Sequence, residues 1–392
     1  MKLHTNKVGA MSLESESLEL HKKLRGKISI AARAKIKNTK DLSLLYTPGV
    51  AEPSRIIAKN RDAAYDLTNK WNNVAIVTDG TRVLGLGDIG PEAALPVMEG
   101  KALIMKEFAN IDAFPLCLKT KDTDAIVETV KNIEPVFGAI NLEDIETPKV
   151  FDIEERLTEE LNIPVFHDDQ HGTAMVVLAG LINALKITGK KKDGVKIAVN
   201  GAGSAGHAIA KLLSAYGIKD ITVFDRQGAI YSNRPNLESH KAKIADITNR
   251  EKYSGTIAEF KNADVIISAT APGALPHETI KNMHQPRIVF ALANPISEIS
   301  LEEAKKRGIA VFGTGRSDYP NQLNNSVVFP GFLRALLDLR VRKITEKMKI
   351  AASEGIAKLV SNAELKKGKI IPDAFDKRVV KSIVNEVKKS LN

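Results

Sequence analysis

A single cysteine, Cys117, stands in a chain of 392 residues, which excludes an internal disulfide framework and a cysteine-based zinc site. A reducing compartment, the cytoplasm, is the expectation. Also missing is any run approaching the ~18 consecutive apolar residues of a membrane-spanning helix, so no membrane association is expected. The opening stretch MKLHTNKVGAMSLESESLELHKKL lacks an apolar core behind its first lysine, which argues against a secretory signal and supports no organellar transit peptide. Aromatic residues make up only 5% of the chain, and they do not interleave with lysines as in single-strand binders. The excess of 57 Lys and Arg over 47 Asp and Glu therefore reads as solvated surface that draws in anionic small molecules, with no nucleic-acid footprint expected. Its densest groups, Lys190 to Lys192 and Lys366, Lys367 and Lys369, are short.

The length allows two domains with sizeable cores. No internal repeat or low-complexity tract interrupts the chain, and the hydrophobic period changes near residue 165. Before that point the pattern predicts a helix over 14–25, a loop at Tyr46-Thr47-Pro48-Gly49-Val50, and a strand over 74–78 closed by Asp79-Gly80. A glycine-rich stretch at 84–90 follows, then a helix over 92–109 opened by Pro91, which carries Lys101 and Lys106. A strand over 113–118, a helix near 122–133 and an apolar run over 136–142 complete this half. After a helix over 171–187 come alternating strands and helices at 195–200, 205–216, 221–225, 264–269, 287–292 and 309–312, the pattern of a parallel sheet covered on both faces. Two closing helices are expected, over 325–360 and 373–390, with the break at 368–372. The fold class is α/β: an N-terminal α/β substrate domain, residues 1–165, and a C-terminal Rossmann-like, doubly wound parallel-sheet domain with terminal helices, residues 166–392.

The strand KIAVN runs into Gly201-Ala202-Gly203-Ser204-Ala205-Gly206 and then a helix, the context in which G-x-G-x-x-G indicates a dinucleotide site. The first glycine makes the turn, the second admits the pyrophosphate, and the third lets helix and strand pack closely, with phosphate at the helix N-terminus. The next strand ends in Asp225, placed to accept hydrogen bonds from ribose hydroxyls, which favours NAD. The adjacent Arg226 leaves NADP possible, because an arginine can hold a 2′-phosphate. Two later loops, one carrying Thr270 and Ala271 and the other Ala291 to Pro295, sit at strand ends where a coenzyme would pass.

Two acidic pairs stand apart from the surface charge: Glu143-Asp144 after an apolar strand, and Asp168-Asp169 in VFHDDQHGTA. Taken singly, such pairs are more often surface charge. Converging at a domain boundary, they repel one another and call for a hard divalent cation, Mg²⁺ or Mn²⁺. His167 and His171 lack a third soft ligand for zinc and are assigned structural or supporting roles. Lys101, desolvated and near a dication, would lose proton affinity and become a base, and Tyr46, on a rigid turn, would be an acid for a carbanion.

Taken in order, these segments resemble the malic enzyme family over most of the chain, from near residue 46 to about 340. The similar stretches are YTPGVAEP (46–53), VTDGTRVLGLGDIGPEAALPVMEGKALIMKEFANIDAFP (77–115), NLEDI (141–145), VFHDDQHGTA (165–174), VNGAGSAG (199–206), VFDRQG (223–228), ALANP (291–295) and NNSVVFPG (324–331). The resemblance implies Glu143, Asp144 and Asp169 as metal ligands with Asp168 behind them, Lys101 as general base and Tyr46 as general acid. It implies that Arg82, Asn294 and Asn325 hold the substrate, with Asn324 assisting and Asn294 also facing the coenzyme. The implied reaction is oxidative decarboxylation of L-malate to pyruvate and CO₂, in which the metal acts as electron sink while CO₂ leaves an oxaloacetate intermediate. The compact bacterial form is the one resembled, without a phosphotransacetylase-like extension, so regulation residing there is expected to be absent. A homodimer or tetramer is implied, in which Tyr46 is supplied by the partner subunit.

Overall fold

The computed structural model describes residues 12–294 and 296–391; residues 1–11 of the opening stretch and Pro295 of the ALANP segment lie outside the described residues. Four helices, α1 (Leu13–Leu24), α2 (Thr39–Leu45), α3 (Ala51–Lys59) and α4 (Ala64–Leu67), lead to strand β1 (Asn73–Thr78). Then come α5 (Pro91–Ala109), β2 (Asp112–Cys117), α6 (Thr123–Ile133), β3 (Ala139–Leu142), α7 (Lys149–Glu160) and β4 (Val165–His167). These strands form one sheet of order β2-β1-β3-β4, parallel throughout. Every residue of β1 and β3 is buried, as expected of parallel strands covered on both faces. The expected boundary at residue 165 therefore falls at the start of the last strand of this sheet.

Helix α8 (Asp168–Thr188) leaves that sheet directly. It begins three residues before the predicted start, so Asp168 and Asp169 occupy its first turn, where carboxylates are favoured by the helix dipole. Among the described residues it is the one helix long and apolar enough to cross a membrane, but 67% of its most apolar window is buried inside the fold. It is a core helix, packed against α9 (Ser204–Tyr216) and α14 (Glu346–Ala357).

The second sheet is built from β5 (Lys196–Asn200), β6 (Asp220–Asp225), β7 (Gly228–Ala229), β8 (Val265–Ser268), β9 (Arg287–Ala291) and β10 (Ile309–Thr314), with α10 (Ser239–Ala245), α11 (His277–Lys281) and α12 (Leu301–Lys306) in the connections. Its order is β10-β9-β8-β5-β6-β7, parallel except for the antiparallel two-residue edge β7. The strand order reverses between β5 and β8, the switch point at which doubly wound sheets bind ligands. The first sheet has its own reversal between β1 and β3, and the loops leaving those two strands carry Arg82, Glu143 and Asp144.

The expected single helix over 325–360 is instead a short 3₁₀ turn at Asn325–Val327, α13 (Phe329–Asp338), α14 and α15 (Asn362–Lys366). The interruption lies where Arg340 takes a left-handed φ of 47°, after which the Thr345 side chain caps α14 by accepting from the Met348 N–H. The last helix, α16 (Arg378–Ser390), starts five residues later than expected. These C-terminal helices also cover the first domain: α13 packs on α5, and Arg334 Nη1 donates to Asn72 Oδ1 at 2.6 Å.

Candidate active site

The structure brings Lys101, Glu143, Asp144, Asp168 and Asp169 together from α5, the loop after β3 and the first turn of α8. Lys101 projects from α5 and is 8% exposed; its Nζ lies 2.5 Å from Glu143 Oε2, is ion-paired with Asp168 Oδ2, and sits 4.4 Å from the Phe329 ring centroid. Asn141 Nδ2 donates to the same Glu143 oxygen at 2.9 Å. Asp144 turns the chain with a left-handed φ of 52°, its N–H donating to Asp169 Oδ2 at 3.0 Å and its carbonyl accepting from the Arg82 N–H at 3.0 Å. One carboxylate oxygen from each of Glu143, Asp144 and Asp169 lies within 4.8 Å of the others. Gly172, one turn along α8, makes room for this group: a Cβ there would meet Asp168 Oδ1 at 1.9 Å and Asn325 Cβ at 3.1 Å, which also places Asn325 beside the cluster.

Charge within this group is unbalanced. Burial, reinforced by the neighbouring acids, pushes Glu143 well above the usual carboxylate range against the pull of Lys101. Burial and Asp169 together push Asp144 up to about 7. Burial also raises Asp168 against Lys101, whereas on Asp169 it is outweighed by His167, Lys101 and Arg82, which hold that carboxyl low. The sequence expectation of lowered proton affinity at Lys101 presupposes a dication beside it. Burial does lower that affinity, but Asp168, Glu143 and Asp169 outweigh burial and raise it, because the lysine is the cation these acids share.

A hard divalent ion fits this donor set. All three converging donors are carboxylate oxygens, and Asp144 Oδ2 and Asp168 Oδ1 are buried without a hydrogen-bond partner, an arrangement that is costly unless a cation compensates it.

Arg82 joins this cluster to the second domain by donating from Nη1 to Ser204 Oγ at 3.0 Å. Ser204 opens α9, and the glycines before and after it divide their work as the motif predicts. A Cβ on Gly201, at φ 110°, would meet the Ala269 carbonyl at 2.5 Å and Thr270 Cγ2 at 3.0 Å; a Cβ on Gly206 would meet the Gly201 carbonyl at 1.8 Å; and one on Gly203 would meet nothing within 4 Å. Two positions serve close packing and the middle one lies open. Ala202 and Ala205 are partly buried beside them, and α9 has no side-chain cap, which leaves its first N–H groups for an anion.

Asp225 stands at the end of β6 as predicted, but its carboxylate is gripped by Arg234, with Nη1–Oδ1 at 2.9 Å and Nη2–Oδ2 at 2.5 Å, and approached by Lys241 at 3.3 Å. Arg226 is exposed; the arginine on the aspartate lies eight residues further on. No hydrophobic period marks Arg234 or Lys241, and sequence reasoning missed both. It also missed Glu298, 3% exposed, which accepts from the Thr270 N–H at 3.0 Å and the Ala293 N–H at 2.9 Å. One carboxylate thereby fastens the two loops carrying Thr270, Ala271 and the exposed Asn294. Asn324 caps the 3₁₀ turn by accepting from the Ser326 N–H at 2.8 Å. Tyr46 is not part of the cluster: it closes α2 and is 63% exposed.

Comparison with known proteins matches residues 25–124 to the malic enzyme N-terminal domain and residues 170–391 to the malic enzyme NAD binding domain. The chain is 53% identical over 382 residues to the bifunctional malic/malolactic enzyme of Bacillus subtilis, covering 97% of this chain and 93% of that one. It is 52% identical over 359 residues to the NAD-dependent malic enzyme of Geobacillus stearothermophilus, covering 91% and 75%. With the NADP-dependent malic enzyme of Rhizobium meliloti the identity is 42%, covering 96% of this chain and 51% of the longer relative. The crystal structure of the NAD-dependent malic enzyme from Thermotoga maritima superposes with a TM-score of 0.90 at 47% identity, covering 95% and 98% of the two chains. Two domains, a carboxylate cluster beside a buried lysine, a glycine-rich coenzyme turn and identity along almost the whole length agree: the chain belongs to the malic enzyme family.

Proposed function

We propose that the chain catalyses oxidative decarboxylation of L-malate to pyruvate and CO₂, dependent on Mg²⁺ or Mn²⁺, with NAD as hydride acceptor and NADP as the alternative. The observation that carries this reading is Lys101 packed between Glu143 and Asp168 inside a set of converging carboxylates, linked through Arg82 to the first turn of the coenzyme helix. A plain dehydrogenase has no use for such an acidic set. Residues 1–165 would hold the substrate and 166–392 the coenzyme, in a cytoplasmic protein without nucleic-acid or membrane partners.

Glu143, Asp144 and Asp169 would hold the dication, which when bound supplies Lewis acidity to the hydroxyl and carboxylate of malate and to the charge left as CO₂ departs. With a dication on those carboxylates, the charge that holds Lys101 protonated would be offset. As the neutral amine Lys101 would take the C2 hydroxyl proton as hydride leaves C2 for the nicotinamide, its contact to Asp168 fixing its Nζ for that transfer. The guanidinium of Arg82 keeps N–H groups beyond the one on Ser204, in the planar fork that suits a carboxylate. Asn294 and Asn325 complete the hold on the substrate. The turn from Gly201 to Gly206 and the start of α9 seat the pyrophosphate, with Thr270 and Ala271 lining the coenzyme path. Tyr46 returns a proton to C3 of the enol. Its exposure, on helices that bury no residue of their own, supports a homodimer, or a tetramer, in which Tyr46 acts in the partner's site.

Asp225 favours NAD, while Arg234, Lys241 and Arg226 around it lessen the cost of a 2′-phosphate and support some use of NADP. Incubation with L-malate and Mn²⁺, with each coenzyme, with and without chelator, tests the reading. Chelator-sensitive appearance of reduced nicotinamide with matching pyruvate, faster with NAD, is expected. Reduction without pyruvate would show a simple dehydrogenase instead. Lactate is assayed alongside, because the Bacillus subtilis relative is a bifunctional malic/malolactic enzyme.

A further inference from the structure

Behind the carboxylate cluster, between α7, α8, α9 and α14, lies a cavity of about 310 Å³ lined by Glu154, Gln170, His171, His207, Lys211 and Lys349, among others. Its wall contains a chain of polar contacts that ends at a proposed metal ligand. Glu154, on α7, uses both carboxylate oxygens on α8: Oε2 accepts from Gln170 Nε2 at 2.5 Å, and Oε1 accepts from His171 Nε2 at 2.5 Å. His171 Nδ1 in turn accepts from Lys349 Nζ at 3.0 Å. The amide of Gln170 has a second hydrogen, and His167 Nδ1 lies 2.8 Å away to accept it. An imidazole accepting at Nδ1 carries its proton on Nε2. His167 is fully buried, and its Nε2 is without a hydrogen-bond partner but faces Asp169 Oδ2 at 3.4 Å.

We infer that Glu154 is a positioning residue for the metal site: by holding Gln170 and His171 it sets the tautomer and orientation of His167, and through His167 the carboxylate of Asp169. The logic is that of outer contacts that orient a metal ligand, whose loss typically weakens metal affinity about 10–100-fold. A glutamine at 154 cannot accept from both partners with one carbonyl oxygen, so one of the two α8 contacts is lost while the volume is kept. The side-chain hydrogen bonds of Glu154 go to Gln170 and His171, away from the turn at residues 201–206, so coenzyme affinity serves as an internal control.

This inference rests on the metal reading given above, and the experiment separates the two. Mn²⁺ alone is titrated into the metal-free full-length protein and its Glu154→Gln, His167→Asn and double variants by electron paramagnetic resonance, with NAD affinity measured on the same samples at a temperature where all are folded. Glu154→Gln is expected to weaken Mn²⁺ binding about tenfold with NAD affinity unchanged, and the double variant to be no weaker than the worse single variant, because the two residues act in one chain. Mn²⁺ affinity within twofold of the unsubstituted protein, additive effects in the double variant, or parallel loss of Mn²⁺ and NAD binding would each overturn the positioning role. An unsubstituted protein that fails to bind Mn²⁺ would instead overturn the metal reading.

Discussion

Lys101 is a buried ammonium whose surroundings oppose one another: burial favours the neutral amine, three acids favour the charged form, and the acids prevail. A dication bound by those acids would free the amine to accept a proton; replacing Lys101 by methionine keeps the volume and removes that acceptor, so kcat is expected to fall about 10²–10⁴-fold, the usual worth of a positioned general base, with NAD affinity unchanged in a direct binding titration. Asp169→Ala is expected to abolish turnover while NAD still binds; metal-dependent turnover in that variant would sink the assignment of the ligand. A different titration governs stability. His207, its ring tilted 45° against Phe151 at 5.0 Å between centroids, is held down to about 4 by burial and by His240 and Lys211. Its folded form stays neutral while the unfolded chain takes up a proton below about 6.5. Stability from this group is complete above that value and lost as pH falls toward about 4, by roughly 3 kcal/mol in all. Denaturant midpoints measured across that window should fall in the parent protein, and fall less in His207→Gln.

At the scale of elements, the long periodic segments were legible: α5, α8, and the strands and helices around the glycine turn lie within a few residues of where the sequence puts them. The acidic pairs and Lys101 were legible for the same reason, since each follows an element whose period is plain. The break at Arg340 was not, because no glycine or proline marks it and the hydrophobic residues continue through Val341. Helix α7 went unnoticed although Val150, Ile153 and Leu157 are all buried on one face, a helical spacing that was available to find it. Arg234, Glu298 and Glu154 act through contacts distant in sequence, so no local pattern announces them. Where local geometry is explicit it supports a sharp expectation. A methyl at Gly206 would strike the Gly201 carbonyl, which is backbone and cannot rotate away. Gly206→Ala should cost on the order of 1–3 kcal/mol of overpacking, read as a fall of about ten- to a hundredfold in NAD affinity with Mn²⁺ binding retained; an unchanged dissociation constant would refute the close packing of α9 on β5.

For the whole molecule, helices α1 to α4 bury none of their residues, yet they carry Leu18, Leu44, Leu45, Val50 and Ile56 exposed alongside Tyr46. An apolar surface of this kind is typically covered by another molecule, and a second copy placed by a twofold axis would cover both surfaces alike. If the dimer shares its sites, mixing and reassembling two inactive variants, Tyr46→Phe and Lys101→Met, should restore activity, since one site of each hybrid receives both intact residues. No recovery would show that each subunit uses its own tyrosine. The bond from Arg82 to Ser204 has a consequence at the same scale. A single guanidinium spans the halves assigned to malate and to the coenzyme, so the occupant of either half alters the surroundings of the other. Thermodynamic linkage makes that influence mutual and equal: by whatever factor malate tightens the grip on NAD, NAD tightens the grip on malate, and cutting this one contact would loosen both sides of the bargain together.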